Sequence, residues 1–380
     1  MPCKADAGSA SWVRDDADLA AVTADWGSVI GLDTEFQRTD TFFPLPGLYQ
    51  VSASAGVWFL DPLTLEDLSP FLEVLENPRV TKIMHACSED LELLRHHFGA
   101  MPVGLFDTQV AHAFLSSEAS LSFTRLVEAL LGVTLAQSET RSDWRARPLS
   151  PAQERYAWED VHYLLPLYEN LAERLERSGR RAWFEEDMAQ RGRFVPADPD
   201  LYYLSIRRAA RMNGPTRARL RALCAWRERA AMALDRPRNR VLRDDVLVEL
   251  AQASLLDTAL LNRTLPPGAV RRFGDELMLA HRSAADDEHP PAPERPLGSI
   301  AQGVANALRE VALKRSESLG MAPELLGRRR DIEACVRHFA AHGELSPIYR
   351  GWREALVGDE FRSRLGRTTG LASEIDRGRH

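Results

Sequence analysis

The 380-residue sequence predicts a mixed α/β domain followed by two small all-α domains, and three observations support that class. Apolar runs of strand length alternate with crossovers through roughly the first 110 residues, and helical periodicity takes over from residue 108. Beyond residue 200 no clear strand signal recurs. A polar, Pro-rich stretch, AADDEHPPAPERP (284–296), then divides what is left into two helical parts. The expected boundaries are 1–200 for the α/β domain, 213–283 for the first helical domain, 284–297 for a linker and 298–380 for the second helical domain. A hydrophobic content of 44% gives each part enough apolar surface for a core, which excludes intrinsic disorder as the main state.

In chain order, VIGLD (29–33), LYQVSAS (48–54) and VWFL (57–60) read as strands. The turn Ala55-Gly56 between two β-rich runs predicts an antiparallel hairpin. A helix over about 66–76 and the strand VTKIM (80–84) complete a strand–helix–strand unit, which predicts a parallel pairing on the same sheet. Helices are expected near 88–98, 108–116, 122–131 and 151–178, and RFVPADPD near 195 reads as a linker. Beyond it, LRALCAWRERAAMAL and DDVLVELA have the periodicity of short amphipathic helices. The segment from Trp226 to Ala230 is similar to that from Leu308 to Ala312, and VLRDDVLVEL is similar to LLGRRRDIEAC downstream, a weak internal repeat.

The longest uncharged run, Thr41 to Leu60, holds two prolines, two glycines and Gln50, so it is not a membrane helix. The N-terminus lacks the apolar core of a secretory signal, which leads us to expect a cytoplasmic protein with no membrane partner. Cys3, Cys87, Cys224 and Cys335 fit that compartment, because no two are spaced as a zinc or redox pair. The net charge of -7 conceals an asymmetry. Residues 1–200 carry 17 basic against 32 acidic side chains, and residues 201–380 carry 31 against 23. Within 201–243, 12 basic residues face only Glu228 and Asp235. An acidic body joined to a basic segment suggests that one part grips a polyanion while another concentrates carboxylates, although an Arg-rich solvated surface would look the same.

The carboxylates are weak signals singly. Asp33 and Glu35 lie at the end of an apolar strand, where the period of two puts both on one face at a repulsive cost unless a cation or proton is shared. Tyr156 and Asp160 stand four apart in a helical stretch and share a face, with Glu159 turned roughly 100° away. Asp90 falls in the first turn of a helix, where an acid also serves the helix dipole. Asp107 is a rival that reads naturally as an N-cap.

Jointly the pattern is specific. DTEFQR and TFFPLPGLYQVS (33–38 and 41–52), KIMHACSEDLELL (82–94), FDTQVAHAF (106–114) and SETRSDWRARPLSPAQERYAWEDVHYLLPLY (138–168) resemble the Tyr-containing branch of the DEDD exonuclease superfamily, and within it the ribonuclease D family. LRALCAWRERAAMALDRPRNRVLRDDVLVEL (219–250) is similar to the helicase-and-RNase-D C-terminal (HRDC) domain. Residues 298–365, ending in IYRGWREALVGDEF, resemble a second domain of that kind. The resemblance implies a ribonuclease H-like α/β exonuclease domain, a mixed sheet flanked by helices, followed by two HRDC-like domains. It makes Asp33, Glu35, Asp90 and Asp160 the metal-binding carboxylates and Tyr156 the residue that orients water. Cys87, where relatives commonly have glycine, and the acidic YAWED stretch are the departures.

A phosphodiester repels nucleophiles, so its hydrolysis needs positive charge on both sides of phosphorus, which two divalent cations about 3.5–4 Å apart supply. An all-oxygen donor set suits Mg²⁺ or Mn²⁺ rather than zinc. In the expected arrangement Asp33 bridges both ions, Glu35 and Asp160 complete one site and Asp90 serves the other. The implied activity is 3′→5′ removal of nucleoside 5′-monophosphates from RNA, typically transfer-RNA precursors with 3′ extensions. Phe36, His85 and Arg147 lie inside the matching motifs and are candidates for contact with the terminal nucleotide. A core role for Phe36 and a strand-end structural role for His85 are the alternatives. Arg236, Arg238 and Arg240 are candidates for holding the body of a structured RNA. A related exonuclease acting on DNA or other small RNAs, or a silent RNA-binding scaffold, are the competing readings.

Overall fold

Nine residues of strand, β2 (Val29–Gln37), form the spine of the first of two units in the computed structural model, which describes residues 9–135, 142–191, 194–284 and 289–377. The first unit gathers the described residues up to Gln37, Pro44–Phe194 and Ser299–Ile375; the second gathers Arg38–Phe43 and Val195–Gly298. β2 is accompanied by β1 (Ser11–Val13), β3 (Leu45–Ala53), β4 (Gly56–Leu60), β5 (Thr81–Met84) and β6 (Leu105–Asp107) in a six-stranded sheet of order β1-β4-β3-β2-β5-β6. β3 is antiparallel to β2 and β4, whereas β1–β4, β2–β5 and β5–β6 pair in parallel. The expected hairpin across Ala55-Gly56 is present. β4 and β5 share the sheet, but β3 and β2 lie between them.

Alternation divides the sheet into two chemistries. Ile30, Leu32, Tyr49 and Val51 join one buried apolar cluster with Trp26, Phe71 and Leu94. The intervening residues Gly31, Asp33 and Glu35 stand opposite Ser52, Gln50 and Leu48 and face the other way. On that second face lie α6 (Pro151–His162) and α7 (Leu164–Arg177). Ser52 Oγ donates to Val161 O at 2.7 Å, and a Cβ on Gly31 would come within 2.4 Å of Ser52 Oγ and 3.0 Å of Leu164 Cβ. Gly31 is thus required by the close approach of helix to sheet.

The structure departs from expectation at four places in this unit. β1 and β6 have three residues each, too few for a period of two to register. The expected helix over 151–178 breaks at Tyr163 into α6 and α7. A further helix, α8 (Arg181–Arg191), occupies what read as the approach to a linker. Finally, the C-terminal helices, among them α14 (Ser299–Leu319) and α16 (Arg329–His342), group with the α/β body instead of standing apart over 298–380. Trp352 stacks on Trp183 with ring centroids 5.7 Å apart, Arg353 pairs with buried Asp187, and Ala322 N donates to Ala113 O at 2.8 Å.

The second unit is built on α9 (Gly214–Ala233), packed with α11 (Asp244–Gln252) and α13 (Pro267–Ser283) around Leu220, Leu223, Leu247, Leu250 and Leu277. Arg227 is fully buried and donates to Glu228 at 3.0 Å, to Asp244 at 2.7 Å and to Leu242 O at 3.1 Å. Asp235, held at φ 45°, accepts from the amides of Phe42 and Phe43, both at 3.0 Å. No helix among the described residues is long and apolar enough to cross a membrane.

Candidate active site

Asp33, Glu35 and Asp160 converge, with one carboxylate oxygen from each lying within 4.8 Å of the other two. Two rules of secondary structure bring them there. The strand period presents Asp33 and Glu35 from one face of β2, and α6 lies on that face with Asp160 in its last turn. The start of α6 is fixed by a capping box: Ser150 Oγ accepts from Gln153 N at 3.2 Å, Gln153 Oε1 accepts from Ser150 N at 3.0 Å, and Pro151 follows at the first helical position. Tyr156, one turn before Asp160, lies beside the Asp160 carboxylate, opposing the rise of its pKa, and packs against buried Trp144 at 5.9 Å between ring centroids. Glu159 points away and pairs with Arg155 at 2.9 Å, as its rotation around the helix requires.

Asp90 arrives from the other side. It sits on α3 (Ser88–Phe98) and accepts a hydrogen bond from Thr34 Oγ1 at 2.5 Å. Thr34, between the two carboxylates of β2 but on the opposite face, thereby ties α3 to the strand carrying Asp33 and Glu35. The sequence alone does not mark Thr34, which reads there only as the spacer that puts Asp33 and Glu35 on one face. Asp107 is the N-cap of α4 (Thr108–Ala113), accepting from Gln109 N at 2.8 Å. The same carboxylate accepts from Ala86 N and Cys87 N, each at 3.2 Å, and so shapes the turn that delivers Asp90. Buried Cys87, at the N-cap position of α3, offers no side-chain cap.

Withdrawal from water and mutual repulsion push these acids up. Glu35 rises to about 9, from burial first and then from the nearby Asp160 and Asp90. Asp160 rises to about 7 and Asp90 to about 6, burial leading in both, with bonds from Tyr156 and Thr34 opposing the rise. Asp33 is also held well above the usual carboxylate range by burial and by Asp90, Asp160 and Glu35. Burial, followed by the surrounding carboxylates, keeps the Tyr156 phenol protonated. A set of acids that cannot ionise together without a cation, offering only oxygen, fits hard divalent ions.

The candidates for nucleic-acid contact fare differently. Phe36 is half-buried and packs against the apolar cluster beneath the sheet. His85 Nδ1 lies 2.9 Å from Thr108 Oγ1, and its ring meets Phe123 edge-on at 5.4 Å. Arg147 corrects its expected role: Nε and Nη2 grip the two oxygens of buried Asp61, each at 2.7 Å, while Nη2 and Nη1 also reach Gly47 O and Trp144 O at 2.6 and 2.9 Å. That guanidinium is spent on the protein. Arg238 is likewise committed, to Glu228 at 2.5 Å and over the Phe42 ring at 4.8 Å. Arg236 and Arg240 are exposed. The first four residues of the 138–168 motif lie outside the described residues, as do Cys3 and part of the expected linker.

Comparison with known proteins identifies the family. A family model described as a 3′-5′ exonuclease matches residues 10–176, and one described as the HRDC domain matches residues 216–280. Ribonuclease D of Pseudomonas paraeruginosa is 40% identical over 366 residues, covering 93% of this chain and 97% of the relative. Ribonuclease D of a Shewanella species is 33% identical over 362 residues, covering 92% of each. The crystal structure of Escherichia coli RNase D, described as an exoribonuclease involved in structured RNA processing, superposes with a TM-score of 0.82 at 31% identity, covering 94% of this chain and 98% of that one. A mixed sheet carrying clustered carboxylates, followed by helices, and relatives matched over nearly their whole length together place the chain in the ribonuclease D family of 3′-5′ exoribonucleases.

Proposed function

We propose that this exoribonuclease trims the 3′ ends of structured RNA, transfer-RNA precursors in particular, and releases nucleoside 5′-monophosphates at a centre of two divalent cations, Mg²⁺ or Mn²⁺. The observation that carries this reading is the convergence of Asp33, Glu35 and Asp160 within 4.8 Å, with Tyr156 one helical turn before Asp160 on the same helix. When bound, the cations supply positive charge against the phosphoryl oxygens and ready a water for attack. Asp33, Glu35 and Asp160 would hold one ion, with Asp33 shared, and Asp90 would serve the other. Tyr156, kept protonated, holds the attacking water in line with phosphorus, and Thr34 holds Asp90 in place. The exposed Arg236 and Arg240 retain the RNA body through its phosphates. Residues 298–380 are read as a second HRDC-like region on the IYRGWREAL motif. A cytoplasmic setting belongs to the same proposal, supported by the free, buried thiols of Cys87, Cys224 and Cys335.

The test is digestion of a 5′-labelled, 3′-extended transfer RNA beside a single-stranded DNA of equal length, with and without Mg²⁺ or Mn²⁺. A ladder that shortens one nucleotide at a time on RNA, only with metal, is expected. Equal digestion of the DNA would move the assignment to a general exonuclease, and metal-independent products would overturn the two-cation reading.

A further inference from the structure

Gln50 is fully buried in the middle of β3, and among the described residues neither its amide nitrogen nor its oxygen has a hydrogen-bond partner. A buried, unsatisfied amide is costly, and leucine or valine would fill a strand position of this kind without that cost. Its place in the sheet suggests why glutamine is there. In the register of β2 and β3, Gln50 stands directly opposite Asp33, so both side chains leave the sheet on the same face. The neighbours on that face are already fixed: Ser52, opposite Gly31, donates to Val161 O, and Leu48 stands opposite Glu35. Among the described residues Gln50 is the one polar side chain in this row of β3 without a partner, and the carboxylate beside it is the one proposed to be shared between two cations.

We infer that Gln50 is a positioning residue for the cation centre, whose amide N–H donates to the Asp33 carboxylate when the site is ionised and loaded. Such a bond would fix the rotation of Asp33 about its side chain and so decide how its two oxygens are turned. Groups that orient a ligand from behind change cation affinity and activity by about 10- to 100-fold. The inference rests on the proposed cation site and assigns Gln50 no contact with RNA.

The test compares Gln50→Met, which keeps length and volume while removing both polar atoms, with the parent and with Asp33→Asn. Mn²⁺ binding by calorimetry, thermal melting without metal, and kcat and KM on one RNA are the readouts. Gln50→Met should melt at or above the parent temperature, weaken Mn²⁺ binding roughly tenfold and lower kcat at unchanged KM. Gln50→Asn, which keeps the amide but shortens its reach, should show the same losses. If Gln50→Met fails to fold, Gln50→Asn carries the same two readouts. Parent-like Mn²⁺ affinity in a folded variant would overturn the inference and leave Gln50 as packing. Mn²⁺ binding that survives in Asp33→Asn would instead overturn the cation site itself, a different failure.

Discussion

Each carboxylate of the cluster has a folded-state pKa raised above its unfolded value, and the sign of the resulting stability effect is fixed. Between the ordinary values of 3.8 and 4.5 and the raised ones, which reach about 9 at Glu35, the folded chain binds more protons than the unfolded chain. Stability of the metal-free protein must therefore fall as pH rises through that window. Asp33→Asn removes one charge and should raise the melting temperature of the metal-free protein, by more at pH 8 than at pH 5, while abolishing turnover. Melts at both pH values with chelator, beside turnover in Mg²⁺, check this; a variant less stable than the parent at pH 8 would contradict it. In the proposed reaction Tyr156 contributes through its hydroxyl, since its ring already packs on Trp144. Tyr156→Phe should lower kcat by about 100-fold with RNA affinity unchanged, a loss typical of a positioned proton donor or acceptor. A change confined to KM would make Tyr156 a substrate contact.

At the scale of elements, Arg147 shows what sequence motifs can and cannot convey. Its place inside a matching motif marked it as significant, but a motif does not say whether an arginine faces a phosphate or a buried aspartate 86 residues away. Arg147 joins Asp61, just beyond β4, to Gly47 O in β3, and so braces the strand that lies beside Asp33. Lysine cannot reproduce the two-pronged grip, so Arg147→Lys should cost about 2 kcal/mol of stability, with RNA affinity unchanged in an inactive background. Denaturant unfolding and RNA binding measured together decide between brace and phosphate contact. The elements that position the acids were legible because both rest on periodicity: two for Asp33 and Glu35, and 3.6 for Tyr156 and Asp160. Thr34 and Gln50 escaped because their significance lies in cross-element pairing. The strands β1 and β6 escaped because three residues are too short to show a pattern, and α8 because its composition is mostly polar.

For the whole molecule, the charge asymmetry is real in the sequence, but folding commits part of it internally. Among the 12 basic residues of 201–243, Arg227 is buried in an ion-paired network and Arg238 bonds Glu228, so local net charge overstates what a polyanion meets. Truncating the chain after Met212 would be a poor test of the basic helices, because it would also strip Trp352 and Arg353 from Trp183 and Asp187 in the first unit. Point substitutions separate the effects. In an Asp33→Asn background, Arg236→Ala with Arg240→Ala should weaken RNA binding at low salt and flatten log K against log salt by about 1.4, since each phosphate neutralised on a single strand contributes about 0.7. Arg238→Ala should instead lower the melting temperature, because it leaves buried Glu228 short of a partner, and should leave the salt slope near the parent value. RNA binding across a salt series, with melts of the same proteins, reads both outcomes. Parallel slopes for the double variant and its parent would make these arginines a solvated surface and shift RNA retention to other basic side chains.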